Sequence, residues 1–343
     1  MDISNVRVSR ISLASLALIA GLALQGCRTA GAGSVVVYVS EDQVFSEPLL
    51  KDFEQANGIK VRAVFDTEEA KSTGVLNRLI AEKDNPQADV YWANEPIRAE
   101  LLRQQGITTP YVSPQAAGIP GRFKDPQGHW TGFSARARLL VVRQDLRDKP
   151  RSVLAYADPR WRGQGVIANP LFGTTTAQMA ALFSLWGESR AQRFLEEMRG
   201  NGVRLTTSNG ESADFVASGD AQFSLVDSDD AFSRLKQARP IDVVYPDQEE
   251  GGLGCMIVPN ALLQVRGGPN PENARRLVDY LLSPESERKL AFSDAAQIPL
   301  HSGVETPPAV PRIEKLKTMD LDYAEVARKM REIQPALEAW VRR

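Results

Sequence analysis

The sequence predicts an α/β fold of two lobes, each built on an open sheet covered by helices. Continuous β-branched and apolar runs, of which residues 34–39 are the first, are typical of strands buried on both faces. Such runs alternate with helical patterns along the chain, which favours right-handed crossovers. The chain has 343 residues, more than one small core usually supports, so two lobes are expected.

The first half alternates strand and helix at the spacing of βαβ units. Leu49, Leu50 and Phe53 recur at helical spacing, and Asn57 and Gly58 end that pattern. The predicted elements of this half are strands over 34–39, 59–65 and 88–92 and helices over 48–56 and 73–82.

A long predicted strand over 131–142 is interpreted as a crossing between the lobes. A second α/β set follows it, and a strand-like run over 252–265 could return the chain to the first lobe. The other predicted elements are strands over 165–169, 203–207 and 221–226 and helices over 175–186, 189–198, 212–217, 271–282, 284–292 and 323–341.

The segment before Cys27 has the pattern of a bacterial lipoprotein signal. Two arginines precede an apolar run over 11–24, which is shorter than the roughly 20 residues of a membrane span. We expect residues 1–26 to be removed as a signal peptide, Cys27 to be lipidated, and residues 27–34 to tether the body to the membrane. An ordinary cleaved signal peptide with a chance cysteine is the alternative.

Composition and charge exclude several classes of protein. With 43% hydrophobic residues and a net charge of -2, the chain is unlike nucleic-acid-binding proteins and unlike proteins that bind membranes through a polybasic segment. An exported chain has no ready supply of ATP or nicotinamide, and no cofactor is predicted. Cys255 lies in an apolar run and is interpreted as an inert buried thiol, with a soft-metal ligand as the alternative.

Loops at the carboxyl ends of strands line the ligand crevice of open α/β sheets, so binding residues are sought there. Gly173, Thr174 and Thr175 open a helix, where unpaired amides and hydroxyls suit an anion, although such residues often only cap the helix. Arg136 and Arg138 alternate on the crossing strand and share a face. They point either to an oxyanion or to solvent and internal salt bridges.

Three acids, Asp227, Asp229 and Asp230, close a predicted strand. Neighbouring carboxylates repel by a few kcal/mol at roughly 4 Å, so a tight cluster favours a compensating cation, hydrogen-bond donors or a raised pKa. Turn-forming aspartates, with Asp230 capping a helix over 231–237, are the alternative.

The sequence does not predict an enzyme. His129 and His301 are the two histidines, neither has metal-ligand spacing, and there is no Gly-x-Ser-x-Gly elbow. A glycosidase with two carboxylates is left as an alternative.

Several segments together resemble one family. The chain is similar to the ferric-binding proteins and their relatives, the periplasmic substrate-binding components of ABC importers. The similar segments are 37–53, 58–61, 88–91, 134–138 and 158–163, with Gly173, Asn209, Gly219 and Asp227.

The resemblance implies a periplasmic-binding-protein-like type II fold with a hinge near Arg136 and Gly254. We expect an N-lobe of residues 35–136 and 255–306 and a C-lobe of residues 137–254 and 307–343. It also implies an extracytoplasmic monomer whose closed form is presented to an ABC permease with a cytoplasmic ATPase.

Iron carriers of this family bind the ion with a histidine, a glutamate and two adjacent tyrosines. The histidine place falls on Asp42, the glutamate place on Asn94 or Glu95, and the tyrosine places on Asp229 and Asp230. Ferric iron is a hard ion that accepts carboxylate oxygen, so Asp42, Glu95, Asp229 and Asp230 are the candidate metal ligands.

The family's anion site corresponds to the helix start at Gly173, Thr174 and Thr175, with Asn209 and Arg136. The resemblance therefore implies iron transport, with a metal and its anion as the ligand. An organic phosphate or aminophosphonate is the alternative. Its hydroxyl or ammonium groups would face Asp42, Asn94, Glu95, Asp229 and Asp230, and Asp227 is also counted among the ligand-binding residues. An exported hydrolase and a sensory receptor are rivals from other classes.

Overall fold

The computed structural model describes residues 33–66 and 74–342. The predicted signal peptide, Cys27 and most of the predicted tether lie outside the described residues. No helix in the described part of the chain combines the length and the apolar character that crossing a membrane requires.

Three parallel strands begin the sheet of the first lobe. Strand β2 pairs with β1, and β1 pairs with β3, in parallel register. Their burial on both faces explains the continuous apolar runs in the sequence. The elements are β1 (Ser34–Val39), α1 (Gln43–Asn57), β2 (Lys60–Phe65), α2 (Gly74–Ala81), β3 (Val90–Ala93) and α3 (Pro96–Gln104).

Two long strands, β5 (Thr131–Arg143) and β10 (Ile257–Val265), carry the sheet from one lobe into the other. Strand β10 is antiparallel to both β3 and β5, and it also pairs with the short strand β4 (Thr108–Thr109). Within the described residues the strand order is β2-β1-β3-β10-β5-β8-β6-β7, with β9 beside β5.

The second lobe repeats the α/β pattern. Strands β7, β6 and β8 are parallel to one another, and β5 closes this set in antiparallel register with β8 and β9. The elements are β6 (Gly165–Ala168), α4 (Gly173–Trp186), α5 (Glu188–Gly200), β7 (Arg204–Thr206), α6 (Asn209–Ser218), β8 (Phe223–Asp227), α7 (Ser228–Lys236) and β9 (Ile241–Val244).

Three helices complete the chain: α8 (Pro271–Leu281), α9 (Pro284–Phe292) and α10 (Tyr323–Arg342). Helix α8 packs beside the first sheet, with its apolar stripe inward. Helix α10 spans more than one part of the body, since the Tyr323 hydroxyl donates to the carbonyl of Ile257 at 2.8 Å and the Trp340 ring donates to the carbonyl of Leu195 at 2.6 Å.

Buried apolar side chains form separate cores. One core gathers around β1, β3 and β10, and it includes Trp92 and Phe133, whose rings lie 5.2 Å apart. Two further cores cover the second lobe, one including Phe183 and Phe223 and another including Val216. Cys255 is fully buried, and burial raises the pKa of its thiol to about 12, as expected of an inert core residue.

The predicted α/β class and the alternation of strands and helices are confirmed, but several bounds differ. Helix α1 begins at Gln43 and contains Pro48, which the prediction had placed at its start. Helix α7 begins at Ser228, so the alternative in which Asp230 caps a helix over 231–237 is wrong. Helix α3 and strand β9 were not predicted.

Gly254 is expected near the hinge, and its position leaves no room for a side chain. Its φ is +79°, and a Cβ atom there would lie 2.5 Å from the carbonyl oxygen of Lys317. The next residue continues this contact, because the Cys255 amide donates to the same carbonyl at 3.0 Å. The run before β10 is thus held against the segment that leads to α10.

Candidate functional site

Strand β5 changes partners at the junction of the lobes, and two buried arginines stand there. Its residues through Ala137 pair with β10, and its residues from Arg138 pair with β8. Arg136 and Arg138 are two positions apart on a strand, so their side chains leave from the same face. The exposed fractions are 7% for Arg136 and 0% for Arg138.

Arg138 binds three elements of the second lobe through its guanidinium group. It lies opposite Asp227 in the antiparallel ladder, and its contacts reach the starts of α4 and α6 and the end of β8. The two protons of Nη1 are shared among three acceptors, Thr174 Oγ1 at 3.1 Å, Asn209 Oδ1 at 2.9 Å and Asp227 Oδ1 at 3.0 Å. Nη2 donates to Thr175 Oγ1 at 3.2 Å and to the Leu225 carbonyl at 3.1 Å.

The carboxylate of Asp227 is surrounded by donors. Its Oδ2 accepts from Thr174 Oγ1 at 2.8 Å and from Asn209 Nδ2 at 3.4 Å, and it lies 3.7 Å from Arg136 Nη1. Asp227 is the N-cap residue of α7, yet its side chain caps no amide of that helix. The side chain is instead turned to the arginines and to Thr174, which explains the missing cap.

The backbone amides at the start of α4 are accessible to a ligand. Gly173 has a φ of +61° and is exposed, and the N-cap residue Phe172 supplies no side-chain cap. The first amides of a helix have no intrahelical acceptor and carry the positive end of its dipole. These amides can receive an anion, as the sequence indicated.

Arg136 is a buried cation that contacts residues of both lobes. Its Nη2 donates to the carbonyl of Asn94 in the first lobe, and its Nη1 lies 4.0 Å from Asp229 Oδ2. Its Nε has no hydrogen-bond partner among the residues that the structure describes. Burial alone would lower the pKa of Arg136, but nearby carboxylates, led by Asp227 and Asp229, outweigh it and raise the pKa.

Asp227, Asp229 and Asp230 come together, with ligand oxygens within 4.8 Å of one another. Asp229 and Asp230 lie in the first turn of α7, where the helix dipole favours negative charge. Burial and the neighbouring acids nevertheless raise the pKa of both, that of Asp230 to about 8. A cation placed among these oxygens would relieve the repulsion.

Asp42 reaches this group from the first lobe. It is the N-cap residue of α1, where its side chain makes no cap hydrogen bond. Its charge contributes to raising the pKa of Asp229 on the second lobe. Acids of both lobes therefore share one electrostatic environment, with Arg136 between them.

Glu95 is a predicted ligand, but its carboxylate is engaged in hydrogen bonds to a helix. Its carboxylate caps α3, accepting from the amides of Ile97 at 2.8 Å and Arg98 at 3.1 Å. Burial raises the pKa of Glu95, against the opposing effects of Arg98 and the two amides. Of the two residues considered for this place, Asn94 is the one that contacts Arg136.

Part of the predicted anion site binds side chains of the protein itself. The structure brings Thr174, Thr175 and Asn209 together, but their hydroxyl and amide groups bind Arg138 and Asp227. Sequence reasoning placed Arg138 beside Arg136 and did not assign it to the site. The signal was available, since Arg138 is a charged residue directly before the apolar run 139–142 of the same strand.

Comparison with known proteins gives the class. The chain matches the family described as Bacterial extracellular solute-binding protein over residues 35–291, and it belongs to that family. It is 26% identical over 287 residues to Iron uptake protein A1 of Synechocystis sp., covering 78% of each chain.

Solved structures of similar proteins share the fold. The iron-bound HitA from Pseudomonas aeruginosa superposes with a TM-score of 0.77 at 21% identity, covering 89% of this chain and 99% of HitA. The periplasmic binding protein AfuA from Actinobacillus pleuropneumoniae, with exogenous fructose-6-phosphate bound, gives a TM-score of 0.74 at 23% identity, covering 90% and 99%. The predicted type II fold of two lobes is thereby confirmed.

Proposed function

We propose that this protein is the solute-binding component of an ABC importer and that it captures a hard metal ion between its lobes. The observation that carries the proposal is the group of three carboxylates beside the buried Arg136, at the junction of the lobes. Carboxylate oxygens are the ligands that hard cations prefer. The names of Iron uptake protein A1 and of iron-bound HitA agree with this ligand class.

In the proposed mechanism, the ligand stabilises the closed form because it contacts both lobes. Asp229 and Asp230 would bind it from the second lobe and Asp42 from the first. Without a cation these acids repel one another, and the repulsion favours separation of the lobes. A bound cation attracts the acids of both lobes and so shifts the population to the closed form, which the permease would recognise.

An organic phosphate or aminophosphonate is the second candidate. The open start of α4 favours it, because uncapped helix amides suit a phosphate group. AfuA carries fructose-6-phosphate in its solved structure. In this candidate the carboxylates would face the hydroxyl or ammonium groups of the ligand.

Calorimetry on the purified protein separates the two candidates. Ferric citrate, a hexose phosphate and 2-aminoethylphosphonate are titrated in parallel. We expect saturable binding of the ferric ion and none of the other two. We also expect no phenolate charge-transfer band, because aspartates stand at the tyrosine places. Saturable binding of either phosphorus compound alone would replace the metal with the second candidate.

We also propose that the body is tethered by a lipid on Cys27. The lipoprotein pattern at residues 24–27 supports it. Metabolic labelling with a radioactive fatty acid should mark the native protein and leave the Cys27→Ser variant unlabelled. Equal labelling of both proteins would contradict the tether without bearing on the ligand.

A further inference from the structure

We propose that Asp227 is a built-in anion, which fills the oxyanion position formed by Arg138, Thr174 and Asn209. These three residues are called the donor cluster below. The protein would then take a cationic ligand without requiring a companion anion at this position. The statement about the ligand rests on the proposed function, whereas the statement about Asp227 does not.

The donor cluster is arranged as for an oxyanion. A guanidinium group, a hydroxyl and an amide from three different elements converge on one point. Such convergence of charged and neutral donors is how proteins hold phosphate and carboxylate groups. Here the two oxygens at that point belong to Asp227.

The Thr174 hydroxyl and the Asn209 amide are already engaged with acceptors of the protein itself. The Thr174 hydroxyl donates to Asp227 Oδ2 at 2.8 Å, so its one proton is not available to another acceptor. Asn209 Nδ2 is directed at Thr174 Oγ1, at 3.1 Å, and at Asp227 Oδ2, at 3.4 Å. An external anion would have to displace the carboxylate to gain these bonds.

Asp227 and Arg138 are both buried. The exposed fraction of Asp227 is 4%, and that of its partner Arg138 is 0%. A buried carboxylate needs a cation and hydrogen bonds around it, and Asp227 has both. A second negative charge beside it would meet repulsion as well as a filled position. Asp229 and Asp230 lie in the first turn of α7, and these two acids would bind the cation.

Removal of the side chain tests this proposal by chemical rescue. The Asp227→Ala variant vacates the position, and inorganic phosphate or formate is added while thermal unfolding is followed. We expect the variant to be destabilised and then restored in a saturable manner by either anion. Phosphate should bind Asp227→Ala at least about tenfold more tightly than the native protein, the equivalent of one charge-assisted hydrogen bond.

Two controls isolate the position from general effects. Phosphate at high concentration stabilises proteins non-specifically, so Asp242→Ala, which removes a half-exposed acid paired with Lys149, sets that background. Asp227→Asn keeps the position filled and should show no saturable rescue. Equal phosphate responses in all four proteins, or no rescue of Asp227→Ala at any phosphate concentration, would overturn the proposal.

The two proposals can fail separately. If phosphate rescues only Asp227→Ala but no metal ion binds the native protein, the proposed function fails and the built-in anion stands. If the native protein binds ferric ion but phosphate binds Asp227→Ala no more tightly than the native protein, the built-in anion is overturned and the proposed function stands.

Discussion

Arg138 and Asp227 are cross-strand partners whose side chains form an ion pair, with Nη1 and Oδ1 3.0 Å apart. The pair joins the crossing strand β5 to the end of β8, where α7 begins. Both charges are buried, so each depends on the other for compensation. The pair therefore fixes the starts of α4, α6 and α7 relative to the strand that connects the lobes.

Substitution of Arg138 should destabilise the protein strongly. Arg138→Met leaves Asp227 buried without its main counter-ion, and we expect a loss of about 3–5 kcal/mol in the free energy of unfolding. Arg143→Met, on the same strand, removes an arginine whose partner Asp145 is largely exposed, and it should cost at most about 1 kcal/mol. Urea denaturation measures both, and equal losses would refute the role of Arg138.

Gly254 should be sensitive for reasons beyond its backbone angle. Gly303→Ala has a similar φ of +80° and open space around the new Cβ, so it should cost about 1–2 kcal/mol. Gly254→Ala adds the clash with Lys317 and should cost distinctly more. The comparison is made by urea denaturation, and a smaller loss for Gly254→Ala would show that the segment at Lys317 moves freely.

Stability should depend on the protonation of His301. Its Nδ1 lies 2.7 Å from Glu287 Oε2 and its Nε2 lies 2.8 Å from the Gln115 carbonyl, and only the imidazolium donates to both. Burial alone would lower the pKa of His301, and Lys124 acts in the same direction. The hydrogen bond and charge of Glu287 outweigh both and raise the pKa.

The sign of the pH effect follows from this raised pKa. The stabilisation is complete below about pH 6.5, the ordinary histidine value, and it is lost as pH rises through the higher value of the folded state. We expect the difference in unfolding free energy between the native protein and His301→Gln to shrink over that range. A difference that grows with pH would contradict the assignment.

Asp229 should contribute directly to ligand affinity. Asp229→Asn removes a charge from the group of three acids and is expected to weaken ferric-ion binding at least about tenfold. Asp294→Asn, which removes an exposed acid paired with Lys236, is the matched control and should bind as the native protein does. Calorimetry with ferric citrate distinguishes the two, and unchanged affinity of Asp229→Asn would remove it from the site.

Much of the fold could be predicted because its strands are buried on both faces and leave continuous apolar runs, as in 34–39. Helix α3 was not predicted, although Glu95 and Pro96 form a helix start signal. The lobe boundaries stay a prediction. The pairing of Arg138 with Asp227 was beyond prediction because it depends on the register between β5 and β8, which the sequence does not encode locally.

Strand β5 also determines how the two arginines move. Arg136 pairs with β10 and Arg138 pairs with β8, with only Ala137 between them, and the Arg138 amide also donates to the Met256 carbonyl just before β10 at 2.8 Å. A rotation of one lobe against the other would twist the strand at that residue. The angle between the two guanidinium groups would then change as the two lobes open and close.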